Sequence, residues 1–522
     1  MSWSEQKSSE RVKAHIESIG EIEVKPLARE VNDLEALLSE TVCREIAGSH
    51  TYAAVTNFAD LASDSTMSRD SYQRLIQGVH VYQRELSHIA ESIVGGYRVH
   101  FQGAKEHVLC YHPVNSPKDA ATKAAFVLLI ADDFIRSVFN KEFDIWADWR
   151  IGGGADIGDA IGTRNGKRGE RELLFIGEPA NRAAKIMVDR ASLRLTSGLY
   201  DELPESLQGC CALLADGTYR ISADQGTLDS LCAEHSIKWN REASAKRIAD
   251  SRAAVPLSEI EYSGANERIS FSDLSERNNK KVEAASVFAD VSGFTKFVKD
   301  AEGDEEAQAA ALKLFHVIRK ESMRVFCDDF EGVHVQFQGD RNQGFLHLPK
   351  GDKAAICKAA VEAAISLASS FEQVIKKELP AAASLSLAIG VDYGVTLATR
   401  LGKRGERDNI CLGVAVENAA QLEEGSAGGQ IAISKVVFDA LQEDLQQHFD
   451  ADGDHYVATG LTWEKIDALE REEVYESGGS VALKAAATVA VGAAAIGAAI
   501  ILSKPQKGDT EIVKPSRPYG RT

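Results

Sequence analysis

Two aspartates beside turn-forming residues are the side chains of this 522-residue chain best suited to chemistry. Asp290 ends a β-prone run, and the next five residues (VSGFT, 291–295) predict a turn and a helix start whose backbone N–H groups can receive a phosphate. Asp340 follows Gly339 in the turn of a predicted hairpin, where glycine permits close backbone approach. Either aspartate alone is explained as a cap of a helix or turn. The pair favours two divalent cations around a triphosphate, because Mg²⁺ binds through one or two carboxylates plus phosphate oxygens.

An internal repeat carries a second, altered copy of these residues. Most matching segments lie 236 residues apart, and one pair near the start lies 230 apart, so the second copy has six extra residues between those motifs. Because the register holds over about 75 residues, the repeat predicts two copies of one fold. The matching segments are GKRGER at 166–171 and 402–407, FQG at 101–103 and 337–339, and FAD at 58–60 and 288–290.

Strands and helices alternate in each copy. In the second copy, apolar periodicity predicts a helix over 305–326, and short runs at 333–337 and 344–348 flank the Gly-Asp turn as a hairpin. The pattern predicts two α+β domains. The first copy repeats the order, with a strand at 52–58, a hairpin at 97–111, a helix at 119–138, a strand at 149–155 and a helix at 179–189.

These motifs resemble the catalytic domain of class III nucleotidyl cyclases, the adenylate and guanylate cyclase family. The likeness rests on FADVSGFT at 288–295, QGD at 338–340, GVDYG at 390–394 and the predicted helix after Gly413. The first copy resembles a second, diverged domain of the same kind. The resemblance implies two ferredoxin-like (palm) domains in tandem, paired head to tail as a pseudo-heterodimer. It also implies a lyase in which the ribose 3′-OH attacks the α-phosphate and pyrophosphate is released.

Sites of this family take metal-binding aspartates from one domain and an asparagine and an arginine from the other. Ala104 of the first copy stands where the second copy has Asp340. The asparagine and arginine positions, four and eight residues after the helix glycine, are Asn181 and Lys185 in the first copy. Each copy therefore lacks residues that the other copy retains. The resemblance implies one complete site from Asp290, Asp340, Asn181 and Lys185, and an incomplete mirror site from Asp60, Ala104, Glu417 and Gln421.

The resemblance also assigns roles in the complete site. Asn181 would orient the ribose, and Lys185 would offset charge on the α-phosphate. Lysine keeps the cation of the family's usual arginine without its bidentate fork, and the neighbouring Arg182 is the alternative phosphate ligand. The remaining ligands are Asp290, Val291 and Asp340 for two Mg²⁺ or Mn²⁺ ions, and Gly293, Phe294 and Thr295 for the nucleotide.

The base-recognition positions match neither purine set of the family. Lysine with aspartate is usual for adenine, and glutamate with cysteine for guanine, whereas the first copy has His100 and Leu174 there. Leu174 suits a smaller ring, and His100 can hydrogen-bond to a pyrimidine carbonyl. We therefore favour UTP or CTP as substrate, as in the pyrimidine cyclases of Pycsar antiphage systems, with a cyclic-nucleotide effector downstream. The alternatives are an adenylate cyclase that makes cAMP and a catalytically inactive pseudo-cyclase that senses nucleotides.

The composition argues against a general nucleic-acid binder. The chain has 59 basic and 78 acidic residues, a net charge of −19, whereas nucleic-acid binding needs a basic face. Eight cysteines without C-x-x-C spacing, and an N-terminus (MSWSEQKSSERVK) without an apolar core, predict a cytoplasmic chain with free thiols.

An apolar segment lies near the C-terminus. Residues 485–503 are 19 uncharged residues, which at about 1.5 Å per residue can just cross a hydrocarbon core. Basic residues follow the segment, and the positive-inside tendency would keep them in the cytoplasm. The segment predicts a transmembrane tail anchor with a weakly translocated end, a re-entrant hairpin or a helix packed on protein, and we favour association with the inner face of the cell membrane. Monomer and homodimer also remain open.

The sequence therefore divides into seven parts. They are a helical segment at 1–47, a degenerate cyclase-like domain supplying Asn and Lys at 48–225, a linker at 226–277, a cyclase domain supplying the Asp pair at 278–450, a connecting segment at 451–483, an apolar helix at 484–504 and a basic tail at 505–522.

Overall fold

The protein is described here by a computed structural model. It describes residues 3–31, 33–58, 61, 68–143, 148–165, 172–187, 191–402 and 407–466. Both copies of the repeat lie in one compact unit that contains residues 1–461. Asp60 and the apolar segment 485–503 lie outside the described residues, and the predictions made for them rest on sequence.

The first copy folds around a mixed sheet. Among its described residues the strand order is β3-β4-β2-β5-β7-β9-β8, while β1 pairs with β2 and β6 pairs with β5. The strands are β1 Glu23–Pro26, β2 Val42–Val55, β3 Tyr97–Gln102, β4 Lys105–Cys110, β5 Ile151–Asn165, β6 Glu172–Ile176, β7 Leu193–Leu195, β8 Cys211–Leu213 and β9 Tyr219–Ile221.

The second copy repeats this topology. Its described strands run in the order β12-β13-β11-β14-β16-β18-β17, with β10 beside β11 and β15 beside β14. The α+β class and the tandem arrangement predicted from the sequence are confirmed. The strands are β10 Glu261–Ser263, β11 Asn278–Ser292, β12 Val333–Gln338, β13 Arg341–Leu346, β14 Ser386–Leu401, β15 Asp408–Leu412, β16 Gln430–Ser434, β17 Asp450–Asp452 and β18 His455–Thr459.

Helices cover the sheets. The longer ones are Glu5–Ile19, Arg69–His88, Pro117–Phe134, Glu178–Ile186, Gln225–Glu234, Arg241–Ala254, Glu305–Met323, Lys353–Ser369 and Val414–Gly425. The shorter ones are Leu34–Leu37, Asn140–Glu142, Ser197–Asp201, Glu205–Gln208, Phe294–Asp300, Lys376–Glu378, Lys435–Phe438 and Glu443–Gln446. We call Glu178–Ile186 the donor helix and Glu305–Met323 the bridging helix.

The central strand β5 is covered on both faces, and two adjacent glycines explain why. A Cβ atom at Gly153 would lie 2.4 Å from Cδ2 of Leu128 in the helix Pro117–Phe134. A Cβ atom at Gly154 would lie 2.1 Å from the carbonyl oxygen of Ala183 in the donor helix. Because successive strand residues face opposite sides, each glycine lets a different helix approach the sheet.

The stretch 226–277, which we expected to be a linker, is largely structured. It contains the helix Arg241–Ala254 and most of the helix Gln225–Glu234, and their apolar residues Leu228, Leu231 and Ile248 are buried in the first domain's core. These helices were not predicted because each buries only two or three side chains, so the sequence there is mostly polar and shows little apolar periodicity.

The segment 1–47, expected to be helical, is helical mainly at its start: the helix Glu5–Ile19 packs on the second domain, whereas β1 and the beginning of β2 belong to the first domain's sheet. Arg11 of the helix Glu5–Ile19 pairs with Glu321 at 2.6 Å and with Asp329 at 2.9 Å, and both carboxylates are buried. Ser8 donates to Glu321 at 2.8 Å. This helix therefore packs within the chain.

The two domains share buried apolar residues. The largest cluster belongs mainly to the first domain but includes Leu397, Leu401, Ile410 and Leu412 of the second. In the described part of the chain, one helical stretch, Lys353–Glu378, is long and apolar enough to cross a membrane, and 67% of its most apolar window is buried inside the protein.

Candidate active site

The two aspartates lie at the same end of adjacent strands. Ala289 of β11 pairs with Asn342 of β13, which places Asp290 one residue beyond this pair and Asp340 in the turn that precedes β13. Gly339 has a φ of +72°, a left-handed conformation that favours glycine and forms the tight turn.

The ionised forms of both aspartates are disfavoured by their surroundings, and nearby cations offset this only in part. Burial raises the pKa of Asp340 well above its usual value, and the charge of Asp290 adds to the effect. Burial also raises the pKa of Asp290, although Arg341 and Lys185 act in the opposite direction. Within the described residues, backbone N–H groups act in the same direction as these cations, that of Val291 on Asp290 and that of Asp340 on its own carboxyl group.

This donor set fits a divalent cation such as Mg²⁺ or Mn²⁺. Hard carboxylate oxygens with excess negative charge are the ligands that these ions prefer. No cluster of three or more His, Cys, Asp or Glu side chains forms a complete cage in the described part of the chain. Two carboxylates leave the other coordination positions to phosphate oxygens and water, as expected for metals that bind together with a nucleotide.

The donor helix presents its polar side chains from the first domain. Pro179 lies in its first turn, where the missing N–H costs nothing, and Gly154 beneath it permits close seating on the sheet. Asn181 and Lys185 are four residues apart and therefore lie on one face of this helix.

That face meets the predicted metal ligands of the second domain. Nδ2 of Asn181 donates to Oγ1 of Thr295 at 3.0 Å. The charge of Lys185 lowers the pKa of both Asp290 and Asp340, opposing their burial. The structure thus brings together five residues named from sequence: Asn181, Lys185, Thr295, Asp290 and Asp340.

Arg182, the alternative phosphate ligand, points elsewhere. Its Nε lies 3.4 Å from Oδ2 of Asp156 in its own domain, and 46% of its side chain is exposed. Lys185 is the cation of the donor helix whose charge acts on the aspartates.

The base-recognition positions lie on β3 and β6. Gln102 Nε2 lies 2.9 Å from His100 Nε2, and burial lowers the pKa of His100 to about 4, so the ring is neutral near pH 7. Leu174 is buried and pairs with Thr163, whose hydroxyl lies 3.0 Å from Nε2 of His316 in the bridging helix. Cross-strand partners share a face, so Leu174 lies on the face turned toward the second domain.

The remaining named residues contribute through the backbone. Val291 is buried, and Phe294 is buried with its ring stacked 5.2 Å from that of Phe315. Gly293, with a φ of +89°, turns the chain into the helix Phe294–Asp300. These side chains are structural, and the N–H groups at the start of that helix are what can meet a phosphate.

Comparison with known proteins identifies the second domain. Residues 277–469 match the family model described as the adenylate and guanylate cyclase catalytic domain. Residues 277–469 form a class III nucleotidyl cyclase catalytic domain. A uridylate cyclase from Pseudomonas aeruginosa is 29% identical over 86% of this chain and 88% of its own length. A uridylate cyclase from a Rhizobium species is 28% identical over 81% of this chain and 83% of its own length.

A solved structure shares the tandem fold of this cyclase chain. It is a class III adenylyl cyclase-like ATP-binding protein from Pseudomonas aeruginosa, with a TM-score of 0.78 over 90% of this chain and 99% of that chain. Its sequence identity is 23%, so this likeness shows the fold alone.

The mirror site of the cyclase has different chemistry. A cavity of about 60 Å³ lies between the domains there, lined by Lys105, Glu417 and Gln421 among others. Burial raises the pKa of Glu417 to about 7, with a further contribution from Glu424. A carboxyl group thus stands where the complete site has Asn181, and Ala104 stands where it has Asp340, so this cavity does not suit a metal–triphosphate.

Sequence reasoning missed three charged residues around the site. Arg341 lies 4.5 Å from the ring of Phe288 and pairs with Glu424 at 3.0 Å. Arg319 and Glu172 pair across the domain interface at 2.6 Å. One signal was available, because the repeat places an acidic residue, Asp408, 236 positions after Glu172.

Proposed function

We propose that this chain converts UTP to 3′,5′-cyclic UMP and pyrophosphate at the site formed by both domains. The observation that carries the proposal is the approach of Asn181 and Lys185 to Thr295, Asp290 and Asp340. The similarity to two uridylate cyclases over most of the chain supports UTP as the substrate. His100 and Leu174, which match neither purine pattern, are consistent with a pyrimidine.

The reaction forms a bond between O3′ and the α-phosphorus and breaks the bond from the α-phosphorus to the bridging oxygen of pyrophosphate. Two divalent ions held by Asp290 and Asp340, with the backbone of Val291, would lower the pKa of the 3′-OH and neutralise the triphosphate. The proton of the 3′-OH leaves to solvent.

The side chains around that centre have separate tasks. Asn181 orients the ribose, and its hydrogen bond with Thr295 keeps its amide beside the phosphate-binding turn. Lys185 offsets the charge that develops on the α-phosphate. Backbone N–H groups at Phe294 and Thr295 receive the phosphate chain.

The wider role follows from the product. We propose that the cyclic nucleotide is a second messenger for a downstream effector in antiphage signalling, and that the chain acts in the cytoplasm, where the triphosphates are. We further propose that residues 485–503 associate with the inner face of the cell membrane, and that the first domain extends beyond residue 225 to include the helices Gln225–Glu234 and Arg241–Ala254.

Incubation of the purified full chain with Mn²⁺ and each of the four ribonucleoside triphosphates tests the activity. We expect cyclic UMP to exceed the other cyclic products when they are measured by mass spectrometry. CTP turnover at a comparable rate would widen the substrate to pyrimidines. Equal or faster conversion of ATP would indicate an adenylate cyclase instead, and nucleotide binding without any product would indicate an inactive sensor.

A further inference from the structure

A buried arginine joins the two domains beside the metal-binding turn. Arg319 lies on the bridging helix and is only 1% exposed. Its Nη2 donates to Oε2 of Glu172, at the start of β6 in the first domain, at 2.6 Å. Its guanidinium carbon lies 3.6 Å from the ring centre of Phe337, so the cation is also stacked on an aromatic face.

Glu172 holds the strand as well as the helix. Its Oε1 accepts from the backbone N–H of Phe337 at 3.2 Å. Phe337 is in β12, three residues before Asp340. One carboxylate of the first domain therefore fixes both the bridging helix and the strand that leads into the metal-binding turn.

A related contact occurs on the mirror side without a metal ligand, but there the arginine lies on a strand and not on a helix. Asp408, 236 positions after Glu172, pairs with Arg98 at 2.8 Å and accepts a hydrogen bond from the backbone of Phe101. Phe101 leads to Ala104 instead of Asp340. The two pairs offer the same kind of interdomain contact next to turns of different chemistry.

Arg319 itself distinguishes the metal-binding side. Gln83 lies 236 positions earlier, and its amide donates to the carbonyl of Gly103 at 2.9 Å. Within the described residues Nε and Nη1 of Arg319 are buried without an acceptor, which is unfavourable for a purely structural contact. Burial lowers the pKa of Arg319 to about 10, and the charges of Glu172 and, to a smaller extent, Asp340 act in the opposite direction.

We propose that Glu172 and Arg319 are positioning residues that hold the turn carrying Asp340 in place for metal binding. The pair acts through Phe337 and the bridging helix and touches neither the metal nor the nucleotide. As far as turnover is concerned, this inference rests on the proposed cyclase activity.

The test compares Glu172→Gln with the mirror variant Asp408→Asn in the full chain. Glu172→Gln keeps an oxygen for the N–H of Phe337 but removes the charge that binds Arg319. Mn²⁺ affinity is measured without nucleotide, from the free Mn²⁺ signal in electron paramagnetic resonance, and initial rates with UTP are measured against Mn²⁺ concentration. We expect Glu172→Gln to weaken Mn²⁺ binding and to lower the rate by about tenfold, the usual size of an outer-shell effect. Asp408→Asn should change neither by more than about twofold.

Equal effects of the two variants, or unchanged Mn²⁺ affinity in Glu172→Gln, would overturn the proposal. Circular dichroism checks folding, and if Glu172→Gln is unfolded, Arg319→Lys is judged by the same criteria. If the wild type does not convert UTP but Mn²⁺ affinity still separates Glu172→Gln from Asp408→Asn, the proposed function fails while the positioning role stands.

Discussion

At the scale of single residues, the site combines groups that are unfavourable on their own. Asp340 is a carboxyl whose ionised form is opposed by burial and by Asp290. The folded protein therefore holds the proton of Asp340 more tightly than the unfolded chain does. As the pH rises above about 4, Asp340 ionises in the unfolded chain first, and the metal-free folded protein loses stability. A cation removes this penalty because it binds the ionised form.

The first residue-scale prediction follows from this sign. We expect Asp340→Asn to raise the unfolding temperature of the metal-free protein at pH 7 by about 2–4 °C, the shift for roughly 1 kcal/mol in a large domain. Mn²⁺ should stabilise the wild type by mass action but not the variant. Differential scanning fluorimetry with EDTA and with Mn²⁺ measures both, and equal Mn²⁺ stabilisation of the two proteins would contradict the assignment of Asp340.

At the scale of elements, the seating of the donor helix depends on Gly154. A Cβ atom there would meet the carbonyl oxygen of Ala183 at 2.1 Å, and a backbone atom cannot move without shifting the helix. Gly153, its neighbour, faces Leu128 on the other side of the sheet. A substitution at Gly154 should therefore move the donor helix, whereas a substitution at Gly153 should affect the stability of the fold without moving that helix.

Replacement of each glycine by alanine tests this separation. We expect Gly154→Ala to lower kcat by up to about 100-fold, because a displacement near 1 Å at the site can cost that much. Gly153→Ala should lower the unfolding temperature while changing kcat by less than about threefold, since overpacking costs stability at a distance from the site. Steady-state rates and thermal unfolding curves are measured for both variants. Similar losses of kcat in the two variants would show that activity does not depend specifically on the position of the donor helix.

Much of the element plan was predictable from sequence, because repeated motifs fix where strands end. The hairpin that carries Asp340 and the donor helix were predicted, although β5 extends to Asn165, well beyond the strand expected at 149–155. The helices within 226–277 were missed because short runs with few apolar residues have little periodicity. The pair of Glu172 and Arg319 was not predictable, since it depends on how two domains meet and not on spacing within either.

At the scale of the whole molecule, one chain contains a complete site and a chemically different mirror. Only the complete site has Asn181 with the two aspartates, while Glu417 occupies the matching position on the other side. The asymmetry predicts that substitutions at matching positions have unequal effects.

We expect Asn181→Ala to lower kcat by about 100-fold, the effect of losing one oriented donor in a transition state. Glu417→Ala, at the matching position of the mirror site, should change kcat by less than about twofold, because that cavity takes no part in the reaction. Parallel assays of cyclic UMP formation measure the two variants. A loss of similar size in Glu417→Ala would show that both cavities work together.

The apolar residues that the two domains share have a consequence for control. Leu397, Leu401, Ile410 and Leu412 are buried with residues of the first domain, so the two halves of the site cannot part as separate subunits. A cyclase assembled from two chains can be switched by dilution or by a partner that brings the chains together. In this protein the halves meet within one chain, so we expect assembly of the site to be independent of protein concentration. An activating signal therefore does not need to bring the halves together.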